Sequence, residues 1–315
     1  MSGKSQFKKS GLLFLAAFIW GTAFVAQSAG IKEIDAFTFN GIRFFLGAIV
    51  LLPVIWFIDR NKKRENGREN TEEMQEGNKG GSKMLWLGGL VCGILLCAGT
   101  NFQQLGIKYT TAGKAGFITA FYIVLVPVFG IFLKKKCPAV VWGSVVLALI
   151  GLGLLCVKED LSVGKGEALV FVCAIVFAFH ILAIDYFVNF TDGVKLSCIQ
   201  FAVSGVISSV LMLIFEKPEL QAVKAAWLPI AYTGIMSCGV AYTLQVIGQK
   251  GMNPTVASII LSLESVVSVL AGWVILKQRL NLNEKAGCIL MFVAIILTEL
   301  PLGKKEQHNQ KVEKF

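Results

Sequence analysis

The residue with the clearest chemical potential in this sequence is a single glutamate inside a long apolar stretch. Glu264 lies near the middle of TVASIILSLESVVSVLAGWVIL, which covers residues 255–276. At about 1.5 Å of rise per residue, a helix over this stretch crosses a hydrocarbon core of roughly 30 Å. A carboxylate at that depth costs roughly 3 kcal/mol, so it usually faces a cavity or a partner. Glu264 is therefore expected to bind a substrate amine or to exchange a proton. The structural alternative is a protonated carboxyl bonded to a nearby serine or carbonyl.

An internal repeat pairs this glutamate with a tyrosine. Tyr122 precedes Glu264 by 142 residues, and the same offset relates Gln103 to Gln245. A constant offset over a long run of residues indicates a duplication. The repeat predicts that Tyr122 faces Glu264 across one cavity as a hydrogen-bonding phenol. It predicts Gln103 and Gln245 near opposite mouths of a pathway, where they assist substrate passage or simply hydrogen-bond between helices.

Three more side chains are candidates for the same cavity. Arg43 lies about two turns inside its apolar segment, where it can meet a substrate carboxylate with two hydrogen bonds or extend to the membrane interface. His180 is placed deeply enough to line the cavity. Trp20 is either a cavity aromatic or an ordinary packing residue. Taken together, the predicted substrate-binding set is Glu264, Tyr122, Gln103, Gln245, Arg43, His180 and Trp20.

Other chemistries find little support in the sequence. His180 and Asp185 are five residues apart, which is not the spacing of a helical metal pair, and the other histidine is His308. None of the eight cysteines forms C-x-x-C, and most lie in apolar segments, which is typical of small packing residues. No Walker-A, H-E-x-x-H or G-x-S-x-G run occurs. We therefore predict no metal, no cofactor and no enzymatic activity.

A group of small residues follows a different face of the Glu264 segment. Ser258, Ser262 and Ser265 recur at i, i+4 and i+7, and Gly272 follows. Small residues let membrane helices approach closely. This face is predicted to be a packing seam rather than a binding surface.

The elements that position these residues are membrane spans. Of the 315 residues, 55% are hydrophobic and 16% are charged, and the mean hydropathy is +0.68. That balance is typical of a polytopic membrane protein. The net charge of +10 comes from basic residues in the connections, a pattern that reports membrane orientation rather than nucleic-acid binding. A lipid bilayer is therefore the expected partner, and nucleic acid is not.

Ten apolar segments predict an all-α fold with ten transmembrane helices. The polar stretch 59–83 has no apolar periodicity and is predicted to be a flexible loop, and 301–315 a polar tail. The first run also resembles a signal peptide, although its length favours a first span. The predicted spans cover 11–30, 36–58, 84–106, 111–133, 138–157, 166–188, 196–215, 225–248, 254–276 and 286–300.

These spans divide into two repeats of opposite orientation. Arg43 matches Gln200 at an offset of 157, and the later offset of 142 follows because the second repeat lacks an equivalent of 59–83. The predicted units are 1–157 and 158–300. Five spans are an odd number, so the second unit enters the membrane from the opposite side. Inverted repeats are typical of secondary transporters with a site at the membrane midplane.

The distribution of basic residues predicts the orientation. With both termini cytoplasmic, 19 of the 30 lysines and arginines lie inside and 10 outside, and Arg43 is intramembrane. Cytoplasmic loops carry the excess of positive charge. We therefore expect a multi-pass plasma-membrane protein with both termini and residues 59–83 in the cytoplasm.

Several motifs resemble those of the EamA-type transporters of the drug/metabolite transporter superfamily. They are Trp20-Gly21, ITAFYIVLVPVFG at 118–130 and SIILSLESVVSVLAGWVIL at 258–276. The resemblance covers about 11–300 and implies a ten-helix carrier, typically an exporter of amino acids or other small metabolites, with a cavity between the halves. Members often carry an acid near the end of the ninth helix, where this chain has Gln278.

The sequence thus predicts a secondary active transporter that exports small metabolites by alternating access. Its energy source is an ion gradient, for example of protons, or the gradient of the substrate itself. A membrane-embedded enzyme acting on a lipid head group and a passive channel are the alternatives. The sequence leaves both a monomer and a homodimer open.

Overall fold

The described part of the chain is built from helices. The computed structural model describes residues 3–66, 73–110, 112–133, 139–155, 164–275 and 282–299, and no strand occurs among them. The helices are α1 (Gly3–Gly30), α2 (Ala36–Asn66), α3 (Glu73–Ile107), α4 (Ala112–Thr119), α5 (Tyr122–Phe132), α6 (Ala139–Leu155), α7 (Lys165–Phe187), α8 (Gly193–Phe215), α9 (Leu220–Ala225), α10 (Trp227–Tyr232), a π-helix (Thr233–Tyr242), α11 (Thr243–Gln249), α12 (Pro254–Leu261), α13 (Leu263–Ile275) and α14 (Leu282–Glu299).

Most of these helices can cross a membrane. Within the described ranges, eight helical stretches are long and apolar enough to span a bilayer, and two shorter apolar helices cover Val141–Gly151 and Lys285–Leu297. The two shorter helices fall at the predicted fifth and tenth spans. The predicted all-α polytopic membrane fold is confirmed, whereas the count of ten spans stays a prediction. The eight long stretches are Gln6–Gly30, Ala36–Asn61, Gly81–Ile107, Ala115–Phe132, Lys165–Phe187, Gly193–Phe215, Trp227–Gln249 and Pro254–Ala271.

The prediction of a flexible loop over 59–83 is wrong at both of its ends. Helix α2 continues to Asn66 and helix α3 begins at Glu73, so 59–66 and 73–83 are helical. Lysine, arginine, glutamate and glutamine, which are frequent in both stretches, are good helix formers and need no apolar face to continue an existing helix into water. Residues 67–72 and the predicted tail 301–315 lie outside the described residues.

Two predicted spans are interrupted near their middles at repeat-equivalent positions. Between α4 and α5, the N–H of Ile123 donates to the carbonyl of Ala120 at 3.0 Å, and between α12 and α13 the N–H of Ser265 donates to the carbonyl of Ser262 at 3.1 Å. Both are i to i−3 bonds that tighten one turn, and the offset between them is 142 residues. Pro127 lies inside α5 without ending it.

The two halves of the chain interlock. Helix α1 packs against α13, α2 against α8, α3 against α7 and α8, and α6 against α14. Glycine permits one of the closest approaches, since a Cβ at Gly21 would lie 2.7 Å from the carbonyl oxygen of Glu264. The contact surface between the halves therefore runs through the middle of the bundle, next to the two interrupted helices.

Candidate functional site

One cavity collects the residues singled out from the sequence. Trp20, Arg43, Gln103, Tyr122, His180, Gln245 and Glu264 all line it, together with Phe24, Gln27, Phe177, Ile181, Ser237, Tyr242 and Leu261. The space in this cavity that is open to the centres of water-sized molecules is about 40 Å³, which is room for a few water molecules. The walls come from both halves of the chain, so the cavity lies at their contact surface.

The centre of the cavity is a hydrogen bond between repeat-equivalent residues. The phenol of Tyr122 donates to Glu264 Oε1 at 2.9 Å, and both side chains are buried. Each residue lies within the tightened turn of its own interrupted helix. A contact between these two residues is the one expected if the predicted pseudo-two-fold axis of the repeat passes between them.

Arg43 supplies a cation to the cavity wall. Its side chain is 2% exposed, and its guanidinium carbon lies 5.4 Å from the ring centroid of Phe39 and 5.1 Å from that of Phe44. Its Nε atom has no hydrogen-bond partner, and no acidic side chain of the described ranges forms an ion pair with it. The alternative in which Arg43 extends to the membrane interface is therefore wrong. A buried charge without a partner is costly, so this guanidinium is well placed to receive an anionic group.

His180 also lines the cavity. Its Nε2 donates to Gln200 Oε1 at 3.1 Å, and its ring is edge-on to that of Tyr242 at 6.2 Å between centroids. Asp185, further along α7, is buried as well. Within the described ranges, no cluster of three metal-ligating side chains occurs.

The π-helix shapes the aromatic wall. Trp20 donates through Nε1 to the carbonyl of Ser237 at 3.4 Å, and its ring lies 4.6 Å from that of Tyr242. Both partners belong to the π-helix. A π-helix widens the turn, and such segments are frequent at functional sites. This wide turn brings a backbone carbonyl and a phenol to the cavity.

The two repeat-equivalent glutamines share the cavity but differ in bonding. Gln103 Nε2 donates to the hydroxyl of Thr119 at 3.1 Å, which fits the interhelical role. Gln245 Oε1 is buried without a partner, as is Gln27 Oε1. These two unused acceptors on the wall can receive N–H donors from a bound molecule.

The serine face is separate from the cavity. Ser258 and Ser262 donate to carbonyls of their own helix at 2.8 and 2.7 Å, and Ser265 donates to the carbonyl of Gly116 on α4 at 3.0 Å. All three are buried, and none lines the cavity. This geometry agrees with a packing seam, and the Ser265 bond links α13 to α4.

Sequence reasoning missed several cavity residues, chiefly Gln27 and Ser237. A usable signal existed for Gln27, because a neutral polar residue in the middle of an apolar segment needs a partner. The same signal marks Gln200. No pattern in the sequence announces the π-helix that brings Ser237 and Tyr242 to the wall.

Comparison with known proteins places this cavity in context. The model of the EamA-like transporter family matches residues 9–157 and again residues 164–300. An uncharacterized transporter of Archaeoglobus fulgidus is 27% identical over 297 residues, covering 91% of this chain and 84% of that protein. The uncharacterized transporter YoaV of Bacillus subtilis is 24% identical over 295 residues, covering 91% of this chain and 95% of YoaV.

The fold also has a counterpart among solved structures. One crystal structure, titled only as that of a protein, superposes with a TM-score of 0.72 at 18% sequence identity, and the match covers 95% of this chain and 98% of that one. At this identity the likeness concerns the fold alone.

Proposed function

We propose that this chain, which belongs to the EamA-like transporter family of the drug/metabolite transporter superfamily, is a secondary carrier that exports small zwitterionic metabolites, amino acids or related compounds, by alternating access. The observation that carries the proposal is a cavity lined by both a buried guanidinium and a buried carboxyl group. Arg43 is a guanidinium without an acidic partner in the described ranges, and Glu264 is a carboxylic acid group held by a single phenol.

A zwitterion satisfies both groups at once. Its carboxylate pairs with Arg43, which presents N–H donors in a planar fork. Its ammonium group pairs with the Glu264 carboxylate and with the unused oxygens of Gln27 and Gln245. The aromatic faces of Trp20 and Tyr242 receive the apolar part of the molecule. A neutral or singly charged metabolite would leave one of the buried charges unpaired.

The position of the cavity supports alternating access. It lies between the halves of the chain, and the Tyr122–Glu264 hydrogen bond lies where the predicted repeat axis is expected to pass. Broken helices at the site are typical of secondary transporters built from inverted repeats. We infer that the units 1–157 and 158–300 rock about this axis, each contributing five spans, and that the site faces one side of the bilayer at a time.

Coupling of substrate transport to proton movement is assigned to the same carboxylic acid group, Glu264. Glu264 can release a proton when the cavity opens to water and regain one when it closes, and it binds the ammonium group only when ionised. The proposed driving force is therefore a proton gradient or the gradient of the substrate. The excess of basic residues predicted on the inner side supports cytoplasmic termini, and we propose that the protein lies in the plasma membrane. Either a monomer or a homodimer satisfies this scheme.

Two measurements test the proposed function. Metabolite profiling of cells and medium with and without overexpression identifies the substrate class, and we expect amino acids or related zwitterions to accumulate outside. Counterflow in liposomes then tests the mechanism, because unlabelled substrate inside accelerates uptake of labelled substrate by a carrier. The same trans-stimulation is not expected from a passive channel or from an enzyme acting on a lipid head group. Linear uptake that ignores the internal substrate contradicts the proposal.

A further inference from the structure

Two acidic side chains join α2 and α8 at opposite ends of this helix pair. Glu216, the residue after α8, accepts hydrogen bonds from the backbone N–H groups of Phe37 and Thr38 at 2.8 and 2.7 Å and from the Thr38 hydroxyl at 2.7 Å. At the other end, Asp59 Oδ1 of α2 lies 2.8 Å from Lys195 Nζ in the first turn of α8. Each contact joins one half of the chain to the other.

The repeat converts one contact into the other. The offset of 157 residues takes Thr38 to Lys195 and Asp59 to Glu216. In both contacts an acid of one helix or its end meets the first turn of the other helix, with the roles of the two halves exchanged. We call the contact of Glu216 with Phe37 and Thr38 the outer latch, and the contact of Asp59 with Lys195 the inner latch. The names follow the proposed orientation, which puts them at opposite membrane faces.

We propose that these two latches are the alternating gates of the carrier. In a carrier of inverted halves, the two access states are exchanged by the same axis that exchanges the halves. A rotation that separates the ends of α2 and α8 at one face brings them together at the other. The outer latch then breaks when the cavity opens outward, and the inner latch breaks when it opens inward. Both latches are closed in the arrangement described here. This inference rests on the alternating access proposed above.

The chemistry of the latches makes them unequal in strength. The outer latch places a carboxylate on the N-terminus of α2, where two backbone donors and the helix dipole favour a negative charge, and Thr38 is buried. The side chains of the inner latch are 34% and 40% exposed, and exposed ion pairs contribute little. The outer face is therefore held more firmly, and the resting protein favours opening toward the cytoplasm.

The two helix starts also differ in the caps they receive from their own half. Asp192 accepts hydrogen bonds from the N–H groups of Val194 and Lys195 at the start of α8, at 3.0 and 3.3 Å. Its repeat equivalent is Asp35, whose Oδ1 lies 3.0 Å from Lys108 Nζ. The start of α2 thus relies on Glu216 from the other half, which is why its release has the larger expected consequence.

Hydrogen–deuterium exchange of the full chain in lipid nanodiscs tests the gates without any substrate. In Glu216→Gln, the amides of 36–40 should exchange about tenfold faster or more, because a charge-assisted acceptor is lost. The amides of 193–197 at the opposite end should exchange more slowly, because the population shifts toward the outward-open state with its inner latch closed. Asp59→Asn should give the reverse pattern with a smaller amplitude.

Glu219→Gln, which removes a nearby acid whose side chain makes no cap hydrogen bond, is the matched control and should change neither end.

The change at the distant end decides between a gate and a static contact. Opposite changes at the two ends, in both variants, support alternating latches. Faster exchange confined to the substituted end, or changes of the same sign at both ends, would show a rigid helix pair and overturn the proposal. The exchanged pair Asp59→Lys with Lys195→Asp should restore the wild-type profile. Thr38→Val, which removes only the hydroxyl bond, replaces Glu216→Gln if that variant fails to fold. Counterflow tests the proposed carrier function and hydrogen–deuterium exchange tests the latches. A failure of one proposal can therefore be distinguished from a failure of the other.

Discussion

The segments 112–132 and 254–275 break at repeat-equivalent residues and carry different chemistry beyond the break. In both, an i to i−3 hydrogen bond tightens one turn, from Ile123 to Ala120 and from Ser265 to Ser262. The cavity-lining residue of this turn is Tyr122, with a phenol, in the first segment and Glu264, with a carboxyl group, in the second. The backbone is thus similar at the two breaks, and the side chains that line the cavity there differ in their chemistry.

The same contrast holds for the pair Arg43 and Gln200. They are equivalent in the repeat, yet Arg43 presents a buried cation to the cavity, whereas Gln200 Oε1 accepts a hydrogen bond from His180 Nε2. A symmetric cavity would bind a molecule equally well in two opposite orientations. One cation and one carboxylic acid group fix a single orientation, which suits a zwitterion.

The largest effect is expected from Arg43→Gln, which gives the first half the same residue that the second half has at the equivalent position, Gln200. Removing one partner of a buried charge pair costs about 2–5 kcal/mol, so the affinity for an amino acid should fall roughly 30-fold or more. The affinity for the corresponding amine without its carboxylate should change little. Isothermal titration of the purified protein with both compounds measures the difference. Arg60→Gln, at an arginine stacked on Trp56 away from the cavity, is the control, and equal losses for both ligands would refute a carboxylate contact.

The similarity of the two tightened turns is tested by placing a larger side chain in each of them. Ala120 and Ser262 are equivalent and fully buried. Replacing either by leucine should destabilise the fold by about 1–3 kcal/mol through overpacking, with similar losses for the two variants. Thermal unfolding in detergent measures this. A large loss in only one of them would show that the two breaks are not equivalent in packing.

A smaller effect is expected from Tyr122→Phe, which removes the phenol at the predicted repeat axis. The lost hydrogen bond to Glu264 is worth about 1.5 kcal/mol, so initial transport rates should fall about tenfold. Tyr242→Phe is the matched control, since no hydrogen bond of the Tyr242 hydroxyl is found among the described residues. Initial rates of counterflow measure both, and equal rates for the two variants would mean that the Tyr122 hydroxyl has no special role.

The candidate site was largely predictable because a repeat carries spatial information in its offsets. Glu264 stands out as a charge in an apolar span, and the offset of 142 pairs it with Tyr122 and pairs Gln245 with Gln103. All of them line one cavity. Their binding of a substrate stays a prediction.

Other features could not be read from the sequence for identifiable reasons. The helical ends of 59–83 extend α2 and α3. Because they extend existing helices, they need no apolar face, and their sequence shows no apolar periodicity. Neither glycine nor proline occurs at Ala120–Phe121 or Ser262, so local composition gives no signal for those breaks.

Glu264→Gln tests the central claim most directly, because glutamine keeps the size and hydrogen bonding of the side chain but can neither titrate nor carry a charge. The measurement is net transport and exchange of the identified substrate in proteoliposomes across a range of pH. We predict a folded protein in which net transport is lost or becomes independent of pH. Lost net transport with retained exchange identifies Glu264 as the coupling group, and loss of binding identifies it as the amine contact. A variant with wild-type rate, affinity and pH profile would contradict the account and reduce Glu264 to a structural partner of Tyr122.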